Sequence, residues 1–174
     1  MESLFKSVAI IGKYASESES SDIESQLLEL AQYLTNKHIN IFIEAKTHQS
    51  GKFQAFKSIT LEEIGSKADL AIVVGGDGTM LGFGRKLAPH GVPLIGINQG
   101  RLGFITDIPL NQIEEVLRPM LRGQYEVDDR SLMHGKVWRD GHCVFEALAM
   151  NDVVVNRGST AGMVELRVEV DGHF

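Results

Sequence analysis

Residues 70–79 read Leu-Ala-Ile-Val-Val-Gly-Gly-Asp-Gly-Thr, an apolar run that enters a glycine-rich turn with one carboxylate. A short apolar run of this kind, bounded by glycine, is typical of a strand that is buried on both faces of a parallel sheet. We predict a helix over roughly 79–88 after the turn. The stretch therefore predicts a strand, a turn and a helix in succession, which is the repeating unit of an α/β fold.

Similar short apolar runs recur through the first two thirds of the chain. They predict further strands at residues 8–12, 41–43 and 92–97. Helices are predicted over roughly 22–37, from the capping box at Thr60 onward and over 109–121, with Pro119 a kink or break. Residues 51–58 are predicted as loop. Strands that alternate with helices in this way form a parallel sheet with helices on both faces.

The pattern changes near residue 124, after which no helical period is found. Strand-like stretches follow at 131–138, 144–155 and 164–170, with hairpin turn signals at Asp140-Gly141 and Asp171-Gly172. We therefore predict an α/β N-terminal domain over 1–123 that carries the glycine turn, followed by the start of an all-β antiparallel domain over 124–174. A returning strand is expected after Gly172, so we expect the chain to stop inside its second domain.

The composition is that of a globular protein, and it narrows the class of function. The 174 residues carry a formal net charge of −6, which argues against a general nucleic-acid binder because such a protein needs a basic face. No apolar run approaches the ~20 residues that span a membrane, and the N-terminus lacks the core of a signal peptide. The single cysteine forms no intrachain disulfide, and the six histidines lack metal-ligand spacing. We predict a cytoplasmic protein that binds neither nucleic acid nor membrane.

The glycine turn, Gly75-Gly76-Asp77-Gly78-Thr79, is the first candidate site. Successive backbone N–H groups in such a turn form a concave anion site, which the following helix reinforces. A carboxylate beside it can accept a proton from an attacking hydroxyl or hold a magnesium ion during phosphoryl transfer. The alternative is that Asp77 or Thr79 merely caps the helix.

A second glycine-containing loop, residues 96–104, follows the next parallel strand and is therefore expected at the same edge of the sheet. Asn98 can donate and accept hydrogen bonds, and Gly100 and Gly103 permit unusual backbone angles. Phe104 is a candidate for stacking on a base. The alternative is a tight loop in which Phe104 fills the core.

A third element, residues 150–155, places Asn151 and Asp152 in the middle of an apolar stretch. Buried polar groups need partners, so such an interruption often marks a site or a bulge. An adjacent amide and carboxylate can bind two neighbouring hydroxyls, as on a ribose. The alternative is a turn or an edge position.

Together, in this order and spacing, the three elements resemble the motifs of the NAD kinase family. Residues 75–79 resemble its Gly-Gly-Asp-Gly motif, residues 98–104 its Asn-x-Gly-x-Leu-Gly-Phe loop, and residues 151–152 its Asn-Glu/Asp pair. The first motif alone is shared with phosphofructokinases and with lipid kinases of the diacylglycerol type. The second and third together are much more specific.

The resemblance implies an enzyme that transfers a phosphoryl group from ATP to the 2′-hydroxyl of the adenosine ribose of NAD and so forms NADP. It implies that Asp77 is the base, that Asn151 and Asp152 hold the ribose hydroxyls, and that Asn98 and Phe104 form the adenine end of the pocket. The glycine turn would face the phosphates. A divalent ion, Mg²⁺ above all, would accompany ATP, and the family's members are usually homo-oligomers.

One family motif, of the form Thr-Gly-Ser-Thr-Ala-Tyr, is absent from the 174 residues of the sequence. Residues 158–162 have a similar look, but they follow Asn151 too closely and lack the tyrosine, so we interpret them as an inter-strand loop. Two alternatives therefore stay open. One is a lipid or sugar kinase that shares only the glycine turn, and the other is a non-catalytic nucleotide sensor on the same fold.

Overall fold

A computed structural model describes residues 3–12, 20–49, 51–100, 103–158, 162–163 and 165–174. Six of its strands form one parallel sheet: β1 (Ser7–Gly12), β2 (Asn40–Glu44), β3 (Lys57–Ile59), β4 (Leu70–Gly75), β5 (Leu94–Asn98) and β6 (Ile108–Pro109). Their order across the sheet is β3-β2-β1-β4-β5-β6, and every neighbouring pair is parallel. The parallel sheet predicted from the apolar runs is therefore confirmed.

Helices connect these strands. They are α1 (Ser20–Thr35), α2 (Ala45–His48), α3 (Leu61–Lys67), α4 (Asp77–Leu87) and α5 (Ile113–Met120). Single 3₁₀ turns follow α4, at Ala88–His90, and precede α5, at Leu110–Gln112. The capping box predicted at Thr60 is present, because Thr60 and Glu63 exchange side-chain and backbone hydrogen bonds. Helix α5 ends one residue after Pro119, as expected for a residue that cannot continue the backbone ladder.

Both faces of the sheet are covered, so alternate residues of one strand enter two different cores. On β1, Val8 and Ile10 pack in the layer that contains α1 and α5. Ala9 and Ile11 point the other way, into the layer that contains α3 and α4. A strand buried on both faces needs apolar residues at every position, which explains the continuous apolar runs in the sequence.

A two-stranded antiparallel sheet follows, formed by β7 (Met133–Arg139) and β8 (His142–Ala149). The two-residue connection has positive φ at Asp140 and Gly141, the conformation that an Asp-Gly hairpin turn requires. An α/β fold followed by a small antiparallel β-sheet is thus confirmed. The domain boundary near residue 124 stays a prediction.

The sequence analysis was wrong in some details at the edges of the parallel sheet and near the end of the chain. Strand β3 begins inside the predicted loop 51–58, and β6 was not predicted at all; both are short edge strands, and β6 ends in a proline. Strand β8 ends at Ala149, so the predicted strand 144–155 stops early.

The predicted half-buried strand over 164–170 is also wrong, except for Val164, which lies outside the described residues. Residues 165–169 are exposed and unpaired with any described strand, and only Val170 forms a bridge, to His173. That bridge closes the predicted Asp171-Gly172 turn, where both residues have positive φ. Alternation alone does not make a strand without a neighbouring backbone to pair with. No helix within the described residues is long and apolar enough to cross a membrane.

Candidate functional site

The glycine turn lies where the strand order of the sheet reverses. Chain connections run outward in opposite directions from β1 and β4, which are neighbours in the sheet. In open α/β sheets, ligands bind in the crevice beyond the carboxyl ends of such strands. Gly75 ends β4 and lies opposite Asn98, the last residue of β5. The first two predicted motifs therefore meet at one edge of the sheet, as expected.

The glycines of the turn differ in whether the surrounding protein leaves room for a side chain. A Cβ on Gly75 would lie 2.8 Å from the side chain of Thr79, so packing inside the protein excludes a larger residue there. Around Gly76 and Gly78, in contrast, a Cβ would meet no atom within 4 Å. No internal contact requires glycine at these two positions, and their backbone is open to a ligand at the N-terminus of the 11-residue helix α4.

Asp77 does not cap this helix. Gly76 occupies the cap position without a side-chain hydrogen bond, and Asp77 is the first residue of α4. Its half-buried carboxylate turns to the loop after β5 instead. Oδ2 accepts from the Phe104 amide at 2.8 Å, and Oδ1 accepts from the Ile105 amide at 3.2 Å. Oδ1 also accepts from the Thr106 amide at 3.1 Å and from the Thr106 hydroxyl at 2.8 Å.

These hydrogen bonds set the protonation state of the carboxylate. The amide of Phe104, and then the hydroxyl of Thr106, favour the ionised form and hold the pKa of Asp77 below its usual value, against a smaller opposing effect of burial. Asp77 is therefore negatively charged at neutral pH. The carboxylate can therefore accept a proton, but its lowered pKa makes it a weak base.

Close approach to neighbouring atoms, rather than unusual backbone angles, explains the glycines of the second loop. A Cβ on Gly103 would overlap Asp77 Oδ1, and a Cβ on Gly96 would lie 2.6 Å from the carbonyl oxygen of Ile105. Neither Gly100 nor Gly103 has a positive φ, so the unusual backbone angles that glycine permits are not adopted at these two positions. Glycine at 103 allows the loop to reach the carboxylate.

Asn98 is the buried support of this loop. Only 5% of its surface is exposed. Its Nδ2 donates to the carbonyl oxygen of Thr106 at 3.1 Å and to the Thr106 hydroxyl at 2.9 Å, while its Oδ1 accepts from the Gly100 amide at 2.7 Å. The polar groups of Asn98 thus hold the loop, and its expected contact with a ligand stays a prediction.

Phe104 lies on the surface at the same edge, with 85% of its side chain exposed. The alternative in which it fills the core is therefore wrong. The guanidinium of Arg130 lies 5.7 Å from the ring centroid. An exposed aromatic ring beside the crevice is free to stack on a planar ligand.

Asn151 and Asp152 are exposed and follow the end of β8. The preceding residue, Met150, contacts helix α4: a Cβ on Gly84 would lie 2.8 Å from the Met150 sulfur. This contact brings the third motif to the helix that begins with Asp77, about 10 Å along its axis from that residue at 1.5 Å per residue. The ligand contacts expected of the pair stay predictions. The inter-strand loop expected at 158–162 lies partly outside the described residues.

The sequence analysis missed three polar residues at this edge. Thr106 is completely buried between Asp77 and Asn98. On the other side of the crevice, buried Glu44 accepts from the amide and hydroxyl of Thr47, whose hydroxyl in turn accepts from the amide of Gly12 at the end of β1. A polar residue that directly follows an apolar strand is the signal that marks Glu44. Thr106 has no comparable signal.

Comparison with known proteins identifies the family. The family model for the ATP-NAD kinase N-terminal domain matches residues 8–125, a span that contains both the glycine turn and the loop after β5. The chain belongs to the NAD kinase family. The resemblance predicted from the three motifs is thereby confirmed.

Individual relatives match the chain over nearly its whole length, beyond the residues that the family model covers. The NAD kinase of Paracidovorax citrulli (strain AAC00-1) is 56% identical, over 100% of this chain and 59% of its own length. That of Cupriavidus pinatubonensis (strain JMP 134 / LMG 1197) is 49% identical, over 98% of this chain and 54% of its own length. The chain thus spans under two thirds of these NAD kinases.

A solved structure shares the fold. The crystal structure of yeast NADH kinase complexed with NADH matches with a TM-score of 0.63 at 18% sequence identity. The match covers 84% of this chain and 47% of the yeast chain. The α/β architecture described above is therefore an architecture that this yeast enzyme shares.

Proposed function

We propose that the protein carrying this chain is an NAD kinase, which transfers a phosphoryl group from ATP to the 2′-hydroxyl of the adenosine ribose of NAD and forms NADP. Family membership supports the proposal. The observation that carries it is the convergence of two family motifs on one carboxylate, that of Asp77, at the point where the strand order reverses.

In this reaction Asp77 accepts the proton of the 2′-hydroxyl as the hydroxyl oxygen attacks the γ-phosphorus of ATP. The new bond joins that oxygen to phosphorus, the bond to the bridging oxygen breaks, and ADP leaves. Phosphoryl transfer has a loose transition state in most analyses, so positioning matters more than base strength. A carboxylate held ionised by loop amides suits that requirement.

The remaining site residues bind the two nucleotides. The amides around Gly76 and Gly78 face the phosphates, since their surroundings are open. The exposed ring of Phe104 stacks on the adenine of NAD, at the end of the pocket that Asn98 supports. Asn151 and Asp152 hold the ribose hydroxyls.

A divalent ion, which we expect to be Mg²⁺, accompanies ATP as part of the substrate. The described residues contain no group of three or more His, Cys, Asp or Glu side chains that could hold a metal. Asp77 is an oxygen donor, but Oδ1 already accepts three hydrogen bonds and Oδ2 one, so this carboxylate could supply at most one ligand atom, from Oδ2. We further infer a cytoplasmic homo-oligomer that binds no nucleic acid and no membrane.

The test is NADP formation by the full-length protein from NAD, ATP and Mg²⁺. Asp77→Asn removes the proton acceptor, and we expect kcat to fall about 100-fold or more, the usual range for loss of a general base. Asp129→Asn changes an exposed aspartate outside the proposed site; it is the matched control and should keep the wild-type rate. Full activity of Asp77→Asn would contradict the role of Asp77.

The same assay separates the alternatives. Phosphorylation of a lipid or sugar in preference to NAD would show that only the glycine turn is shared. Binding of NAD and ATP without turnover would show a sensor.

A further inference from the structure

Thr106 occupies the centre of a chain of hydrogen bonds that joins the two motifs. The residue is completely buried. Its hydroxyl lies 2.9 Å from Asn98 Nδ2 and 2.8 Å from Asp77 Oδ1. A carboxylate oxygen accepts and an amide nitrogen donates, so the hydroxyl must accept from Asn98 and donate to Asp77.

The direction of this chain is fixed at its far end. Asn98 Oδ1 accepts from the backbone amide of Gly100, which can only donate. The amide nitrogen of Asn98 must then face Thr106, where it also donates to the Thr106 carbonyl oxygen. Because Asn98 Nδ2 donates to the Thr106 hydroxyl, the hydroxyl proton is left to form a hydrogen bond with Asp77 Oδ1.

The two oxygens of the Asp77 carboxylate are left in different states. Oδ1 accepts three hydrogen bonds, from the amides of Ile105 and Thr106 and from the Thr106 hydroxyl. Oδ2 accepts one, from the amide of Phe104. A carboxylate oxygen has about two lone-pair sites. Oδ1 is therefore saturated, whereas Oδ2 retains a site for a further donor.

We propose that Thr106 is a positioning residue of the reaction: its hydroxyl holds Asp77 so that Oδ1 is occupied and Oδ2 receives the proton of the 2′-hydroxyl. This inference rests on the proposed NAD kinase activity. The balance is that of a simple transfer, in which the proton moves to Oδ2, the ribose oxygen bonds to the γ-phosphorus and ADP leaves. Thr106 acts on Asp77 and touches neither nucleotide.

The two branches of the Thr106 side chain have separate tasks, which makes the proposal testable. The hydroxyl orients Asp77, while the methyl group packs against Gly96, where an added Cβ would lie 3.0 Å from it. Thr106→Val keeps the shape and removes the hydroxyl. Thr106→Ser keeps the hydroxyl and removes the methyl group. A merely structural residue would be affected by both changes.

The experiment measures kcat and KM of the full-length enzyme for both variants. We expect Thr106→Val to lower kcat about 10- to 100-fold, the cost of a misplaced catalytic group, with KM for NAD and ATP changed much less. Thr106→Ser should keep kcat near the wild-type value. Equal loss in both variants, or a wild-type kcat in Thr106→Val, would overturn the proposal. If Thr106→Val does not fold, Thr106→Ala replaces it.

A double-mutant cycle supplies the second readout. Residues that act through one another are strongly non-additive. Thr106→Val should therefore lower the residual rate of Asp77→Asn far less than it lowers the wild-type rate. If the two losses multiply instead, Thr106 does not act through Asp77 and the proposal fails.

Hydrogen exchange separates this proposal from the proposed function, because it needs no turnover. The amides of Phe104, Ile105 and Thr106 donate to the carboxylate, and they should exchange faster in Thr106→Val but not in Thr106→Ser. Unchanged exchange in Thr106→Val would overturn the positioning role. If both variants exchange as expected but the wild-type protein forms no NADP, the NAD kinase activity is refuted instead.

Discussion

The parallel sheet and the hairpin that follows it differ sharply in how they bury their apolar residues. Every residue of β4 is buried, since helices cover both faces of the sheet. Along β7 and β8 most residues are exposed, among them the large side chains of Trp138 and Phe145. The backbone ladder and the exposed contacts of His134 and Lys136 with Glu146 hold the two strands together, and a two-stranded sheet on its own is marginally stable.

This difference indicates which region of the molecule is packed tightly enough to hold catalytic side chains in place. Asp77 and the loop that contacts it stand on β4 and β5, the buried centre of the sheet. Asn151 and Asp152 follow the exposed hairpin and reach the first region through the contact of Met150 with Gly84. The proposed phosphoryl-transfer residues thus lie on the packed region, and the proposed ribose-binding pair lies on the less buried one.

Matched substitutions of valine test the comparison most strongly. Val8→Ala removes a side chain with 0% exposure in β1, and we expect the free energy of unfolding to fall by about 2–3 kcal/mol, from lost burial and the cavity left behind. Val144→Ala changes a side chain with 54% exposure in β8 and should cost less than about 0.5 kcal/mol. Urea denaturation measures both. Equal costs would show that the hairpin packs as tightly as the sheet.

A smaller effect distinguishes two kinds of glycine at the site. Gly103→Ala places a Cβ on Asp77 Oδ1, and shifting the loop should cost about 1–3 kcal/mol of stability. Gly76→Ala meets no protein atom, so stability should change by less than about 1 kcal/mol. Thermal denaturation compares the two variants.

The affinity of Gly76→Ala for ATP tests whether Gly76 leaves space for the phosphates. Because a methyl group there would occupy the space proposed for phosphates, Gly76→Ala should weaken ATP binding despite its stable fold. Titration calorimetry with the full-length protein checks this. Wild-type affinity for ATP in Gly76→Ala would remove the glycine turn from the phosphate site.

Local signals account for what the sequence could predict. The strand into Gly75, the helix after it and the capping box at Thr60 each depend on residues close in the chain, and all three are present. The order of strands across the sheet depends on pairing between distant segments, and the sequence carries no local record of it. The short edge strands β3 and β6 were missed for the same reason, because their pairing, rather than their composition, makes them strands.

The site was predictable in its parts but not in its connections. Asp77 and Asn98 were recognised by their motifs, and the expectation that both lie at one edge of the sheet is correct. The buried threonine that joins them was not recognised, because a threonine between an isoleucine and an aspartate has no distinctive pattern. Its importance follows from hydrogen bonds that only the folded chain forms.

One measurement tests the central claim most directly: a crystal structure of the full-length protein with NAD bound. The account predicts that the 2′-hydroxyl oxygen of the adenosine ribose lies within hydrogen-bonding distance of Asp77 Oδ2, about 2.6–3.2 Å, while Oδ1 keeps its bond to Thr106. A ribose held elsewhere, with the Asp77 carboxylate turned away from its 2′-hydroxyl, would contradict the account.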